Sequence, residues 1–182
     1  EGEHTMKIFG IVGWSGSGKT ELLVKLLPEL RQRGFKVSTM KHTHHNFDMD
    51  KPGKDSYRHR EAGAEEVMIA SGSRWALVHE LRDEPEPDMD FLISQMNPVD
   101  LLLIEGFKRN KHPKMEVSRP ATGKSLIAAD DDTIVAVASD EDIVGVDVPL
   151  LDLDDVSAIA DYIITFTGVK PSGVYTQANA AE

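Results

Sequence analysis

The chain has no cysteine among its 182 residues. That removes disulfides and thiolate metal sites from consideration and fits a cytoplasmic home. Positive charge is scarce: 20 Lys and Arg stand against 31 Asp and Glu, a formal net charge of −11. Such a balance argues against non-specific binding to nucleic acid or to an anionic membrane surface, though it leaves room for a local basic patch at Arg58-His59-Arg60. Long hydrophobic runs are missing too. No stretch approaches the roughly 20 apolar residues that a membrane-spanning helix needs. The short run Ile8 to Trp14 is broken by glycine and has no small-residue cleavage site after it, unlike a signal peptide. Internal repeats and low-complexity tracts are also absent. What remains, 40% hydrophobic and 28% charged residues, is ordinary for one soluble domain long enough to close a substantial core.

Along the chain, short apolar runs alternate with helical patterns, which predicts an α/β fold with a largely parallel sheet. Lys7–Val12 reads as a strand, and Glu21–Arg33 as a helix with Leu22, Leu23, Leu26, Leu27 and Leu30 on one stripe. Pro28 predicts a kink in that helix and Gly34 its stop. Strands are expected at 36–41, 67–70, 75–79, 99–104 and 133–138, and helices at 54–64, 88–96 and 155–166. The run at 99–104 is almost purely apolar, as in a strand buried on both faces. Residues 107–132 read as a long polar loop of the kind that is usually functional or mobile. Residues 1–6 read as a flexible or vector-derived start and 168–182 as a frayed tail, leaving 7–167 as the nucleotide-binding domain.

Residues Gly13-Trp-Ser-Gly-Ser-Gly-Lys-Thr20 match the pattern G-x-x-x-x-G-K-[ST], set between a strand and a helix. In that context Gly13, Ser15, Gly16, Ser17 and Gly18 let backbone N–H groups turn onto phosphate oxygens. Lys19 reaches the β/γ-phosphates, the Thr20 hydroxyl ligates Mg2+, and Glu21 opens a helix whose positive end favours the anion. The expectation is a nucleoside triphosphate with Mg2+, in a three-layer P-loop NTPase fold whose mostly parallel central sheet is flanked by helices. Glu105 ends the run Leu101-Leu-Leu-Ile. It is therefore expected at the carboxyl edge of the sheet, as a second Mg2+ ligand or as a solvated strand end. Asp100, before that strand, belongs at the opposite edge.

After the second strand comes Lys41-His-Thr-His-His-Asn-Phe-Asp48-Met-Asp50. The spacing of His42, His44 and His45 matches no common zinc pattern. A loop beside the γ-phosphate fits better, with Asp48 or Asp50 on Mg2+-bound water and Lys41 or Lys54 offsetting phosphate charge. A solvated turn punctuated by Pro52-Gly53 is the plainer alternative. Lys19 and Asp48 are the candidate catalytic residues.

Taken together, the phosphate loop with Trp14, Lys41-His-Thr-His-His through Asp48, Lys51-Pro-Gly-Lys-Asp-Ser-Tyr57, Ala62-Gly-Ala64, Arg74-Trp-Ala-Leu77 and Leu103-Ile-Glu-Gly-Phe-Lys108 resemble the molybdopterin-guanine dinucleotide biosynthesis protein B family. The resemblance spans residues 7 to 166. It implies a P-loop GTP-binding protein with slow hydrolysis, dimeric, working with the molybdenum cofactor guanylyltransferase that attaches GMP to molybdopterin. The Asn-Lys-x-Asp element of many GTPases is absent. Ser139-Asp140 stands in its expected place, where Asp140 either accepts from the guanine N1–H and amine or is one member of an acidic run. A small-molecule kinase using 107–132 as a lid and a non-hydrolysing nucleotide-gated binding module stand as alternatives.

Overall fold

The computed structural model describes residues 5–43 and 47–172. They form two compact units. One comprises the chain up to His42 together with Met96 onward, and the other spans Thr43–Gln95.

The first unit is built on β1 (Lys7–Val12), β2 (Val37–Lys41), β5 (Leu101–Glu105), β6 (Lys114–Ser118), β7 (Ile134–Ser139) and β8 (Leu150–Asp152). They pair in the order β2-β5-β1-β6-β7-β8, and every pairing is parallel. All six carboxyl ends therefore lie along one edge, where open α/β sheets bind ligands. The chain adopts a P-loop NTPase fold with a parallel central sheet flanked by helices. Helices α1 (Lys19–Gln32) and α4 (Val156–Thr167) bury Leu22, Leu26, Ile159 and Ile163 against Phe9, Leu103 and Val117 of the sheet. Side chains of this size each gain about 1.5–3 kcal/mol on burial, so this face dominates the unit's stability.

Helix α1 continues through Pro28 to Gln32. Its end is fixed by Gly34 N–H on Arg31 O (3.0 Å) and Phe35 N–H on Leu30 O (3.1 Å), paired bonds that absorb orphan carbonyls of the last turn. Asp100 lies at the amino edge as expected. Buried there, it accepts from the backbone N–H of Lys36 (2.7 Å) and Ser172 (3.1 Å). Helix α4 is capped by Asp155, whose carboxylate accepts from Ala158 N–H at 2.9 Å.

Two expectations fail here. Residues 107–132 are not one loop, because β6 crosses them as an interior strand of the sheet, followed by short turns of helix at Pro120–Thr122 and Ile127–Ala129. The strand's apolar face, Met115 and Val117, joins the helix-covered core. Its other face is polar yet buried. Glu116 accepts from the Ile127 and Ala128 N–H groups at 2.9 and 2.8 Å. The Lys114 ammonium donates to Asn110 O, His112 O and the Thr133 hydroxyl. His112 lies against Gly10, where an added Cβ would stand 2.6 Å from its Nε2. Neither ring nitrogen of His112 finds a hydrogen-bond partner among the described residues. Burial, reinforced by the Lys114 charge and opposed by Asp131, pushes this imidazole down to about 4. Val169, expected in a frayed tail, packs instead into the core.

The second unit holds α2 (Asp55–Glu61), the antiparallel pair β3 (Glu66–Ala70) and β4 (Trp75–His79), and α3 (Met89–Ser94). Asp88 caps α3 by accepting from Phe91 N–H at 2.8 Å. One face of the hairpin carries Met68, Trp75 and Leu77, each exposed. No helix among the described residues is long and apolar enough to cross a membrane.

Candidate functional site

The glycine-rich loop leaves β1 at Val12 and enters α1 at Lys19, the strand-loop-helix order on which phosphate cradling depends. Gly13 has φ of 151°, and a Cβ there would stand 2.5 Å from Val117 O and 2.6 Å from the Ser17 hydroxyl. Only glycine permits this seat on β6. Ser17 is 3% exposed, and its hydroxyl has no hydrogen-bond partner among the described residues. A buried hydroxyl without a partner is costly, so the loop is left with polar capacity to spare. Ser15 and Gly16 lie exposed at the loop's crest, and Glu21 is exposed in the first turn of α1.

The Lys19 ammonium is folded over the loop, donating to Gly13 O at 3.0 Å and Trp14 O at 2.9 Å. Burial pushes its pKa down; the charges of Lys108 and Lys41 act in the same direction and Glu105 against it. Each of these influences places a charged group near the loop. The register explains why: Lys41 ends β2 opposite Glu105, and Glu105 in turn faces Ile11 of β1. The Thr20 hydroxyl lies 3.3 Å from Glu105 Oε1, and Lys41 Nζ lies 3.1 Å from the same oxygen. Thr20, expected on the loop, and Glu105, expected at the strand end, are thus brought together. His42 N–H donates to Glu105 O at 2.9 Å and the His42 ring packs on Phe107, fixing the backbone around the carboxylate.

Further cations surround the loop. Lys108 Nζ is 4.8 Å and Lys124 Nζ 5.9 Å from the Trp14 ring centroid, and the indole N–H donates to Ser125 O at 2.8 Å. The sequence reading gave Lys108 no role and missed Lys124 and Arg119, because all three follow segments whose place in the sheet is set by distant pairing. In a chain of net charge −11, Lys19, Lys41 and Lys108 converge beside one carboxylate and a helix N-terminus, an arrangement suited to a polyanion carrying a divalent cation.

Asp140 follows β7 at the same sheet edge, where its Oδ2 accepts from Arg119 at 2.5 Å. Beside it a cavity of about 280 Å³ opens between the ends of β7 and β8, lined by Ser139 to Asp142 and Leu150 to Asp152.

Asp48 belongs to the second unit, where Arg60 gathers three carboxylates: Asp48 at 2.8 Å, Asp50 at 3.1 Å and Glu80 at 2.6 Å. Hydrogen bonds that the guanidinium donates to Glu80, then to Asp48, raise its pKa. His44 and His45 lie outside the described residues. Among those described, no group of three or more His, Asp or Glu is arranged to hold a metal ion by itself.

The chain resembles known proteins in sequence and in fold. The family model described as molybdopterin guanine dinucleotide synthesis protein B matches residues 8–140. The molybdopterin-guanine dinucleotide biosynthesis adapter protein of Escherichia coli (strain K12) is 44% identical over 168 residues, covering 90% of this chain and 94% of that protein. Its counterpart in Haemophilus influenzae is 43% identical over 163 residues, covering 88% and 89%. Among solved structures, a molybdopterin-guanine biosynthesis protein B superposes with a TM-score of 0.68 at 29% identity, covering 87% of this chain and 99% of that one. The Bacillus subtilis MobB structure gives a TM-score of 0.70 at 24% identity over 91% and 99%, a likeness of fold.

Proposed function

Since the chain belongs to the molybdopterin guanine dinucleotide synthesis protein B family, we propose that it is a GTP-binding adapter in the biosynthesis of molybdopterin guanine dinucleotide. In this reading it hydrolyses GTP slowly with Mg2+ and serves the guanylyltransferase that joins GMP to molybdopterin, in the cytoplasm. The adapter role rests on the family. The nucleotide reading is carried by one observation: Thr20 from the loop, Glu105 from β5 and the ammonium groups of Lys19 and Lys41 meet at one sheet edge.

The residues present fit the ligand. The unpartnered Ser17 hydroxyl and the close seat at Gly13 support a loop shaped for phosphate oxygens. The backbone of Gly13 to Lys19, with Glu21 N–H at the start of α1, would bind the phosphates, and Lys19 would offset their charge. Thr20 and Glu105 would hold Mg2+, which supplies charge neutralisation at the transferring phosphate. Asp140 is the proposed guanine acceptor, and the neighbouring cavity supports that choice. Asp48 is the proposed hydrolytic residue, with its carboxylate in the grip of Arg60. A homodimer completes the reading, supported by the exposed Met68, Trp75 and Leu77 face of a hairpin that is marginal as an isolated two-stranded sheet.

The kinase alternative loses its lid, because residues 114–118 are built into the sheet.

Calorimetric titration with GTP and Mg2+ tests the nucleotide reading. Wild-type protein should bind, and Lys19→Ala should lose measurable binding while keeping its circular dichroism and melting profile. A Lys19→Ala protein that binds GTP like the wild type removes the phosphate-loop assignment. Co-precipitation with the guanylyltransferase, with and without GTP, tests the partnership.

A further inference from the structure

Arg119 is the first residue after β6, and β6 lies between β1 and β7. That position sets it midway along the sheet edge between the phosphate loop, which follows β1, and Asp140, which follows β7. The side chain uses the position on both sides. Nε donates to Ser17 O at 3.2 Å, and Nη1 donates to Asp140 Oδ2 at 2.5 Å. Between these contacts the guanidinium lies flat enough on the loop that a Cβ on Gly18 would stand 3.3 Å from Nε and Nη2. Gly18 is the residue that caps the amino end of α1. The side chain is 37% exposed, so the group is anchored on the loop and on the carboxylate while part of it faces solvent at the ligand edge. Asp140 Oδ1 takes no hydrogen bond among the described residues.

We propose that Arg119 is a positioning residue for the nucleotide, a guanidinium strut that ties the phosphate loop to Asp140 and aims that carboxylate at the amidine edge of a guanine base. The inference rests on the GTP-binding reading and deepens it. A carboxylate at the end of a strand rotates freely and accepts from water on every side. With Oδ2 committed to Arg119, its other oxygen is left to accept from the exocyclic amine on that edge of the base. A planar fork with fixed donor directions can hold both anchor points at once, which a lysine ammonium on a flexible stem cannot. The same strut keeps the Ser17–Gly18 stretch in place at the start of α1, so base recognition and phosphate binding share one support.

The test is calorimetry on the full chain with GTP and with inosine triphosphate, which lacks the exocyclic amine, for wild type, Arg119→Ala and Arg119→Lys. Thermal melting of each variant reports folding. Wild type should prefer GTP over inosine triphosphate by tenfold or more. Arg119→Ala should lose at least tenfold in GTP affinity, and its preference should collapse toward unity. Arg119→Lys should recover part of the affinity, through its charge, without recovering the preference. A preference unchanged in Arg119→Ala overturns the inference, whatever happens to affinity, since a purely structural or charge role would weaken both nucleotides alike. So does a gain in preference, which would mean that Arg119 competes with the base for Asp140, and so does a wild type that binds GTP without preferring it. Wild-type protein that binds no GTP overturns the nucleotide reading itself and takes this inference with it.

Discussion

The buried imidazole packed against β1 makes a quantitative demand on stability. His112 is 9% exposed, and its pKa is pushed from 6.5 down to about 4, first by burial and then by the charge of Lys114. The unfolded chain therefore takes up a proton near pH 6.5 that the folded chain refuses until about pH 4. Folded protein holds the full contribution above pH 6.5 and loses it as pH falls through that window. At about 1.4 kcal/mol for each pH unit, the loss comes to about 3 kcal/mol. Against a typical domain stability of about 5–15 kcal/mol this is a large fraction. Carboxylates titrate over the same range, so the comparison that isolates His112 is wild type against His112→Leu. His79 acts in the opposite sense. Its pKa is raised by Glu66 and then Glu84, so its contribution is present at low pH and fades as pH rises. It belongs to the second unit and is common to both proteins. Urea unfolding, followed by Trp14 fluorescence in a Trp75→Phe background, reports the first unit alone. Plotted against pH from 7 to 4, the stability of wild type should fall by about 3 kcal/mol relative to the variant. Parallel curves would show that the imidazole is hydrated and titrates normally, and would refute the burial argument.

Two further predictions concern the ligand edge. Thr20→Ala and Glu105→Gln should each raise the Mg2+ concentration needed for GTP turnover, because in the proposed reading the adjacent Thr20 and Glu105 oxygens hold one ion; an unchanged Mg2+ titration in Glu105→Gln would leave that carboxylate a structural partner of Thr20 and Lys41 alone. Asp140→Asn should weaken GTP by roughly ten- to a hundredfold and improve xanthosine triphosphate, whose 2-oxo group accepts from an amide; unchanged GTP affinity by calorimetry would place guanine recognition elsewhere.

The parts of the site legible in the sequence were those encoded by contiguous residues. The loop from Gly13 to Thr20 announces itself by type and spacing, and Glu105 by the apolar run that it ends. What brings Thr20 and Glu105 to within 3.3 Å is register between strands, which the run itself does not spell out. The sequence reads 107–132 as loop because the stretch is long, polar and weakly patterned, and it hides the five-residue alternation of Lys114, Glu116 and Ser118 with Met115 and Val117, which is itself a strand signal. All five residues are buried, and the charged two, Lys114 and Glu116, find partners in the backbone of 110–112 and 127–128. No local pattern announces such remote satisfaction. Arg119 was missed for the same reason, as its meaning depends on the strand before it. Val169 was assigned to a tail because nothing nearby in sequence marks the core that receives it.

The strand order also dictates when the molecule acquires its ligand edge during synthesis. Strand β1 pairs with β5 and β6, partners that emerge roughly a hundred residues later. These are contacts of high sequence separation, the kind whose closure entropy must be met before they reward the chain. The hairpin of β3 and β4, by contrast, joins neighbours across a short turn within a unit that forms its own contacts. A growing chain can therefore mature residues 43–95 while β1 waits without partners. The backbone of Gly13 meets Val117 O, and Gly18 meets Arg119. A nascent chain that stops short of Val117 thus carries the complete phosphate motif without its seat on β6. On the proposed GTP-binding reading, nucleotide affinity is then a late checkpoint on the whole sheet.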